Sequence, residues 1–255
     1  MVQLKDKLVL ITGSNRGIGL GFAKEAHSRG ARLLLAIRSP SELKLDWADE
    51  RVETIALDMS SKESIERFLS DSRLNEVDIL INNAGQLTGG LLESQDLDQI
   101  YSMFQVNLVG LIHLTRAMML KLINRPEGMI VNNASVSGVM HLPCTTTYTA
   151  AKTGVVAFSS SLRQDLKGTK IKVLTLITPG VKTRMFDEIA PKYSKHMDVS
   201  SITSITTEEY AKRVMNAIEK NKKVLSPGGL EGIGCFMARH FPLLFERIAS
   251  SQFKR

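Results

Sequence analysis

The sequence of 255 residues has only two cysteines, few aromatic residues (5%) and no uncharged apolar run of the length that crosses a membrane. Cys144 and Cys235 are far apart and form no Cys-x-x-Cys motif, which favours a reducing, cytoplasmic compartment over a disulfide framework. The polar N-terminus runs directly into a strand pattern, so we expect neither a signal peptide nor a membrane span. A chain of this length buries roughly 70 to 75% of its unfolded surface and needs no structural metal. We predict no metal site.

Positive charge is concentrated in the last third of the chain. The formal net charge is +7, yet residues 1–162 carry 16 Lys and Arg against 17 Asp and Glu, whereas residues 163–255 carry 17 against 9. A solvated surface explains this, as does recognition of an anionic substrate, an acidic carrier protein or an anionic membrane. The chain has no nucleic-acid-binding motif and its basic residues are scattered, so no nucleic-acid partner is expected.

Short apolar runs of strand length alternate with helical patterns along the chain. Near-continuous apolar strands separated by helices indicate a parallel sheet covered on both faces. No repeat or linker divides the chain, so we predict a single doubly wound α/β domain over residues 1–255. The predicted strands are 8–11, 33–37, 52–57, 77–81, 129–131 and 171–177.

Three further segments carry expectations of their own. Two long helices, predicted at 107–124 and 146–167, have more apolar positions than one buried face requires, which suggests a subunit interface. Residues 181–205 lack periodicity, and a long irregular segment in a compact domain is typical of a substrate loop.

A glycine-rich turn follows the first predicted strand and precedes a helix. Glycines suit this place because the turn needs unusual backbone angles and a phosphate must approach the backbone closely. The free N–H groups at the helix start then face the pyrophosphate of a dinucleotide. The predicted cofactor contacts in this turn are Gly13, Ser14, Asn15, Arg16, Gly17, Ile18 and Gly19.

The end of the second strand bears on the choice between NAD and NADP. An acidic residue there binds the ribose 2′-hydroxyl, but this chain has Arg38 instead. Arg38 and Arg16 together can clamp a 2′-phosphate, so we predict NADPH as the cofactor and regard NAD as the weaker alternative. Asp58, after the third strand, can accept a hydrogen bond from the adenine amino group or serve only as a turn residue.

Polar residues that follow later strands form a candidate catalytic group. In open α/β folds the ligand crevice lies outside the carboxyl ends of the strands, so residues distant in sequence can meet there. Tyr148 and Lys152 are four apart and share one helix face, and a nearby ammonium is expected to lower the pKa of the phenol. The group is Asn107, Ser135, Tyr148 and Lys152.

Together these motifs resemble the short-chain dehydrogenase/reductase family, in its branch of about 250 residues. The resemblance covers nearly the whole chain and implies a Rossmann-type, mostly parallel sheet of seven strands. The matching segments are Thr12-Gly13-x-x-x-Gly17-x-Gly19, Asn82-Asn83-Ala84-Gly85, Asn107, Ser135, Tyr148-x-x-x-Lys152 and Pro179-Gly180-Val181-Lys182-Thr183.

By this resemblance Tyr148 is the general acid in carbonyl reduction and the base in the reverse reaction. Ser135 would hydrogen-bond the substrate oxygen, Lys152 would bind the nicotinamide ribose, and Asn107 would hold a water of a proton relay. Thr183 and the Val181 backbone would fix the carboxamide. The resemblance also implies a homodimer or homotetramer. The further cofactor contacts implied are Met59, Asn83, Ala84, Gly85, Tyr148, Lys152, Pro179, Gly180, Val181 and Thr183.

One departure from the family lies at residues 38–50, which contain Pro40 and a lone Trp47 where a fuller helix is usual. We expect a more open adenine pocket there.

The residues expected on the substrate side are mostly apolar, which favours a lipophilic ketone or aldehyde, such as an acyl-lipid, steroid-like or long-chain carbonyl. A competing interpretation is a 3-oxoacyl-carrier-protein reductase, whose acidic carrier would meet the basic last third. A third is a non-catalytic NADPH-binding sensor or scaffold, against which the intact Ser135, Tyr148 and Lys152 argue. The expected lining is Val139, Met140, His141, Leu142, Pro143, Cys144, Met185, Phe186, Ile189 and Met197.

Residues 235–255 form an amphipathic, basic segment. Pro242 suits a helix start, with Leu244, Phe245 and Ile248 on one face and Arg247 near the polar side. Such a segment can lie peripherally in a membrane interface, or it can pack on the protein itself or on a neighbouring subunit, which is the commoner arrangement.

Overall fold

The structure, a computed structural model, describes residues 3–42, 45–196, 204–251 and 253–255. Seven strands form one sheet in the order β3-β2-β1-β4-β5-β6-β7, and every pairing is parallel. The strands are β1 Leu8–Thr12, β2 Arg32–Ile37, β3 Val52–Ala56, β4 Ile79–Asn82, β5 Gly128–Asn133, β6 Ile171–Leu176 and β7 Val224–Leu225. The predicted doubly wound architecture is therefore confirmed, and the predicted apolar runs account for every strand within the described residues except the two-residue β7.

Ten α-helices lie within the described residues. They are α1 Gly17–Ser28, α2 Lys62–Leu69, α3 Leu97–Phe104, α4 Gly110–Leu122, α5 Thr146–Asp165, α6 Arg184–Asp187, α7 Ile189–Tyr193, α8 Thr207–Glu219, α9 Gly229–His240 and α10 Pro242–Ser251.

Both faces of the sheet are buried because successive side chains of a strand point to opposite sides. On β1, Val9 and Ile11 face the layer that contains α1 and α8, whereas Leu8 and Leu10 face the layer that contains α2 and α4. This explains why the strands read as continuous apolar runs.

The strand order places the crevice. The chain runs outward from β1 to β3 on one side and from β4 to β7 on the other, so β1 and β4 flank the point where the order reverses. Loops after these two strands diverge at their carboxyl ends and leave a crevice between the two helical layers. The glycine-rich turn and the Asn83 segment both begin there.

The first long helix differs from its prediction. A helical stretch begins at Leu97, ten residues earlier than expected, and a π-helical turn at Gln105–Val109 joins α3 to α4. Its surplus apolar side chains are exposed: Leu97, Tyr101, Val109 and Leu120. Helix α5 has no exposed large apolar side chain, so the surplus predicted for both helices is found on the first one alone.

The stretch Leu97–Leu122 is long and apolar enough to cross a membrane by length and composition. Inside this fold, however, Met103, Leu111, Leu114 and Met118 of the same stretch are buried. Helices α3 and α4 also pack on α5 and α2, which is the environment of a core helix.

Two predicted irregular segments are more structured or more anchored than expected. Residues 181–205 contain α6 and α7, although residues 197–203 lie outside the described part of the chain. Between Arg38 and Glu50 the described residues form only a short 3-10 turn at Pro40–Glu42, and Trp47 packs edge-on against His27 of α1 with 5.3 Å between ring centres.

Candidate active site

The glycine-rich turn leaves β1 and opens into α1. Gly13 has φ +65°, and a Cβ there would lie 2.9 Å from Ala84 Cα, so no other residue fits this approach. A Cβ on Gly19 would lie 2.3 Å from Gly13 O. Only glycine therefore allows the first turn of α1 to pack this closely against the end of the strand. The start of α1 thus points its free N–H groups into the crevice, the arrangement that binds pyrophosphate.

The hydroxyl of Ser14 in this turn is buried and has no hydrogen-bond partner within the described chain. A buried hydroxyl without a partner is costly and calls for a ligand or water. It lies beside the two backbone features just described, and together they fit the phosphates of a dinucleotide.

Arg16 and Arg38 are both exposed at the carboxyl edge, after β1 and β2. Neither forms an ion pair with a described residue. Asn15 is exposed beside Arg16, and Ile18 is half-buried at the start of α1. Both guanidinium groups are therefore available to an anion at this edge.

Asp58 is held by its own turn. Its Oδ1 accepts hydrogen bonds from the backbone N–H and the hydroxyl of Ser60, at 2.9 and 2.7 Å. The neighbouring Met59 is buried, and its carbonyl lies where a side chain on Gly110 would be. Asp58 is thus a turn residue, as one of the two interpretations predicted. Its Oδ1 is used within the turn, so an adenine amino group would have to bind Oδ2.

Asn83 links the strand ends. Its Nδ2 donates to Thr12 O at 3.1 Å, and its Oδ1 accepts from Asn133 Nδ2 at 3.0 Å. The backbone N–H groups of Asn83 and Ala84 both donate to Thr12 Oγ1 at 3.0 Å. Asn83 therefore supports the loop rather than projecting into the crevice.

Ser135 and Tyr148 meet above the end of β5. Ser135 lies two residues beyond the strand, and its Oγ accepts from Ser137 N at 3.1 Å. The Ser135 side chain also lies near the Tyr148 phenol and opposes the rise of its pKa. Burial is the larger influence and raises the pKa of Tyr148 to about 12.

Lys152 is buried one helical turn beyond Tyr148. Its Nζ donates to Asn133 O at 2.8 Å and lies 5.8 Å from the centre of the Tyr148 ring. Burial lowers the pKa of Lys152 to about 8. The expected lowering of the Tyr148 pKa is not found in the chain alone, because burial is the largest influence and raises that pKa.

Asn107 lies in the π-helical turn between α3 and α4, a type of distortion that is frequent at functional sites. Its Oδ1 accepts from Gln86 N and its Nδ2 donates to Gln86 O, both at 2.8 Å. A Cβ on Gly85 would lie 3.3 Å from Asn107 Oδ1 and 3.8 Å from Lys152 Nζ. Asn107, Gly85 and Lys152 thus surround one small space beside the candidate catalytic pair.

The segment after β6 reaches the glycine-rich turn. A Cβ on Gly17 would lie 3.3 Å from Thr183 Cγ2, so Thr183 borders the cofactor turn. Thr183 Oγ1 caps α6 by accepting from Phe186 N at 3.3 Å, and Val181 pairs with Ile205. Gly180 N donates to Glu231 of α9 at 3.1 Å, and Pro179 precedes it at the same edge.

The residues expected to line the substrate side differ in how deeply they are buried. Val139, Met140 and Cys144 are buried, and Cys144 has φ +63°, whereas His141 is exposed. Leu142, Pro143, Met185, Phe186 and Ile189 are half-buried. Met197 lies outside the described residues.

Tyr193 and Asn133 were missed by reasoning from sequence. Tyr193 of α7 is buried and donates to Thr88 O at 3.3 Å, while burial and the nearby Tyr148 raise its pKa. Its ring fills the space a side chain on Gly89 would take. The predicted substrate loop contains two aromatic residues, Phe186 and Tyr193, and only the structure shows that Tyr193 is buried; nothing in the sequence marked Asn133.

Comparisons with known proteins agree with this geometry. The family model for short chain dehydrogenase matches residues 7–194. The 3-oxoacyl-[acyl-carrier-protein] reductase FabG of Haemophilus influenzae is 34% identical over 181 residues, 69% of this chain and 74% of that protein. An uncharacterised oxidoreductase of Staphylococcus aureus is 30% identical over 208 residues, 79% of this chain and 90% of that protein.

Solved structures share the fold. A short chain dehydrogenase from Burkholderia cenocepacia in complex with NADP superposes with a TM-score of 0.84 at 22% identity, covering 97% of this chain and 99% of that one. A short chain dehydrogenase/reductase from Burkholderia phymatum in complex with NAD gives 0.73 at 24% identity, covering 88% and 89%. From the family match, the identities and the site, the chain belongs to the short chain dehydrogenase family of oxidoreductases, whose cofactor is a nicotinamide dinucleotide.

Proposed function

We propose that this protein is an NADPH-dependent reductase of a lipophilic carbonyl compound, acting reversibly on the corresponding alcohol. The observation that supports this best is the meeting of Ser135, Tyr148 and Lys152 at the crevice that also receives the glycine-rich turn. A non-catalytic sensor would have no need for this group.

The chain offers contacts for both the pyrophosphate and the nicotinamide end of the dinucleotide. The start of α1 and the Ser14 hydroxyl would hold the pyrophosphate, and Thr183 would hold the nicotinamide end. When bound, the nicotinamide supplies or accepts the hydride. The protein must therefore place the substrate carbon beside that ring and manage the proton.

Tyr148 is assigned the proton transfer. With a pKa near 12 in the chain alone, the phenol keeps its proton at neutral pH and can donate it to the carbonyl oxygen. The Ser135 hydroxyl would donate a second hydrogen bond to that oxygen and stabilise the negative charge that develops there. In alcohol oxidation the same phenol accepts the proton.

Lys152 and Asn107 are assigned supporting roles in the proton transfer by Tyr148. A protonated Lys152 near the Tyr148 ring favours the phenolate left after donation. The Asn107 side chain already bonds the Gln86 backbone, so Asn107 positions this loop, and a relay water would bind at the small space beside Gly85.

The preference for NADPH rests on Arg16 and Arg38, two exposed guanidinium groups after β1 and β2, with no acidic residue directly after β2. The lipophilic substrate is favoured by the apolar residues expected on the substrate side, of which Val139 and Met140 are buried and Met185 and Phe186 are half-buried.

A panel of aliphatic, aromatic, steroidal and short polar carbonyl compounds, monitored by NADPH absorbance, tests the proposal. We expect the highest kcat/KM with long apolar carbonyls and a lower value with NADH. Reduction confined to short polar carbonyls would contradict the substrate class, and no reduction of any carbonyl would contradict the reaction.

A second candidate is a reductase of carrier-linked 3-oxoacyl groups. It is favoured by the 34% identity to a 3-oxoacyl-[acyl-carrier-protein] reductase and by the exposed Lys182, Arg184 and Lys195 in the substrate loop. Comparison of a 3-oxoacyl group on acyl carrier protein with the same group on a short thiol decides between the two. A large preference for the carrier-linked form would favour this candidate.

A further inference from the structure

Helices α9 and α10 carry a concentrated exposed apolar surface. Half of the fourteen exposed large apolar side chains in the described chain lie within residues 230–248. Leu230 is 78% exposed and Leu243 is 81% exposed, so most of each side chain faces solvent. We refer to these seven residues as the C-terminal surface: Leu230, Ile233, Phe236, Phe241, Leu243, Leu244 and Ile248.

The opposite side of the same two helices is packed into the fold. Cys235 is buried with Val139 and Met140, and Ala238 and Phe245 pack against that cluster. A Cβ on Gly234 would lie 2.6 Å from Met140 Sδ, so α9 lies directly on the substrate-side segment. The expectation that Phe245 shares a face with Leu244 and Ile248 is wrong, because Phe245 turns inward. The C-terminal surface is consequently the outer face of an anchored pair of helices.

The charges on this outer face and just beyond it are mainly positive. Arg239 and Arg247 are exposed and form no ion pair with a described residue, and Arg247 lies one turn from Leu243 on the apolar side of α10. Lys254, three residues beyond α10, is likewise exposed and forms no ion pair with a described residue. Glu246 is the exposed acid of α10. The acid of α9, Glu231, faces inward and accepts a hydrogen bond from Gly180 N.

We propose that the C-terminal surface docks on an anionic lipid bilayer. Leucine, isoleucine and phenylalanine side chains flanked by arginine and lysine are typical of helices that lie in a membrane interface, where apolar burial adds to electrostatic attraction. Long basic side chains can place their charged ends at the lipid headgroups while their aliphatic stems lie in the apolar layer beside the leucine and phenylalanine side chains. The inference rests on this surface alone and does not depend on the proposed reaction.

A second copy of the chain suits this surface less well. A two-fold contact places the same patch of both copies in one interface, so the Arg239 and Arg247 side chains of both copies would be brought together there. Like charges brought together oppose such a contact, whereas anionic headgroups neutralise them. An acidic protein is the other alternative partner for this surface. Flotation with vesicles, in which lipid is the only partner offered, distinguishes lipid from such a protein.

Vesicle flotation of the full chain is the test, with phosphatidylcholine vesicles and with vesicles that also contain phosphatidylglycerol. One variant removes apolar groups at exposed positions (Leu230→Ser, Ile233→Ser, Leu243→Ser). A second removes charge (Arg239→Gln, Arg247→Gln, Lys254→Gln). The matched controls make comparable changes elsewhere: Leu92→Ser and Val224→Ser for the first, and Lys167→Gln, Lys170→Gln and Lys172→Gln for the second. Circular dichroism confirms that each variant is folded.

We expect the wild type and both controls to float with anionic vesicles, and flotation to weaken with salt. Because each basic residue near an anionic surface contributes about five-fold, the charge variant should partition roughly 100-fold less. The apolar variant should lose flotation. Equal flotation of variants and controls, or no flotation of the folded wild type, overturns the proposal. A change in oligomeric state of the apolar variant without vesicle binding would assign the surface to a second copy instead.

Discussion

The main chain of Lys254 pairs with His196 at the end of α7: Lys254 N donates to His196 O at 2.7 Å, and Lys254 O lies 3.0 Å from His196 Nδ1. Phe253 packs against the His196 ring, and Arg255 forms an ion pair with Glu93 at 2.6 Å. Residues 253–255 therefore connect the substrate loop to the segment before α3. The contact in the loop is at His196, three residues beyond the buried Tyr193.

Deletion of residues 253–255 should loosen the substrate loop. We expect KM to rise roughly 10-fold, since two net hydrogen bonds are lost, with a smaller change in kcat. Steady-state kinetics on a confirmed substrate measure it. Arg255→Gln, which removes only the ion pair with Glu93, is the control and should stay close to wild type. An unchanged KM in the deletion would show that the loop is held without these residues.

Tyr148→Phe should lower kcat by about 10²- to 10⁴-fold, because it removes the proton donor. Fluorescence titration should show unchanged cofactor affinity, since the glycine-rich turn is untouched. Tyr193→Phe is the matched control: it deletes only the hydrogen bond to Thr88 O and should retain turnover within a few-fold. Near wild-type turnover in Tyr148→Phe would assign the acid to another group.

Arg38→Ala should weaken NADPH binding by about 10- to 100-fold and leave NADH binding unchanged, because a charge-assisted hydrogen bond to phosphate is lost. Arg32→Ala removes an exposed arginine from the same strand, where it pairs with Glu76. That control should alter neither affinity. Tighter binding of NADH by the wild type would refute the cofactor assignment.

Lys152→Met should abolish one pH dependence of stability. The pKa of Lys152 falls from 10.5 in the unfolded chain to about 8 on folding, so the unfolded state binds more protons between these values. The free energy of unfolding of the wild type therefore rises with pH across this window, by up to about 3 kcal/mol. Urea unfolding at several pH values, with the exposed Lys172→Met as control, should show this rise missing from Lys152→Met alone. Parallel curves for wild type and Lys152→Met would contradict it.

Light scattering should report a dimer or tetramer, formed through the exposed apolar side chains of α3 and α4. Val109→Glu with Leu120→Glu should dissociate it, because both side chains are exposed in the single chain. Leu230→Glu, on the C-terminal surface, should leave the oligomer intact. A monomeric wild type at high micromolar concentration would count against this interface.

Local patterns were sufficient for much of the fold. The apolar run at Leu8–Thr12, the glycine-rich turn and the capping residue Ser61, whose side chain accepts from Ser64 N, specify their elements within a few residues. The start of α3 was missed because Asp96, which caps it by accepting from Gln99 N, precedes a segment in which exposed apolar residues blur the helical period.

The sequence by itself determined the alternation of strands and helices and the family motifs, because these depend on residues a few positions apart. Only the tertiary structure decided which side chains meet. Asn133 at the end of β5 joins Asn83 after β4 to Lys152 of α5, and Phe245 turns inward while Leu244 stays exposed. It also decided the direction of the Tyr148 pKa. Burial is the sum of contacts from elements far apart in the chain, and no local spacing of Tyr148 and Lys152 records it.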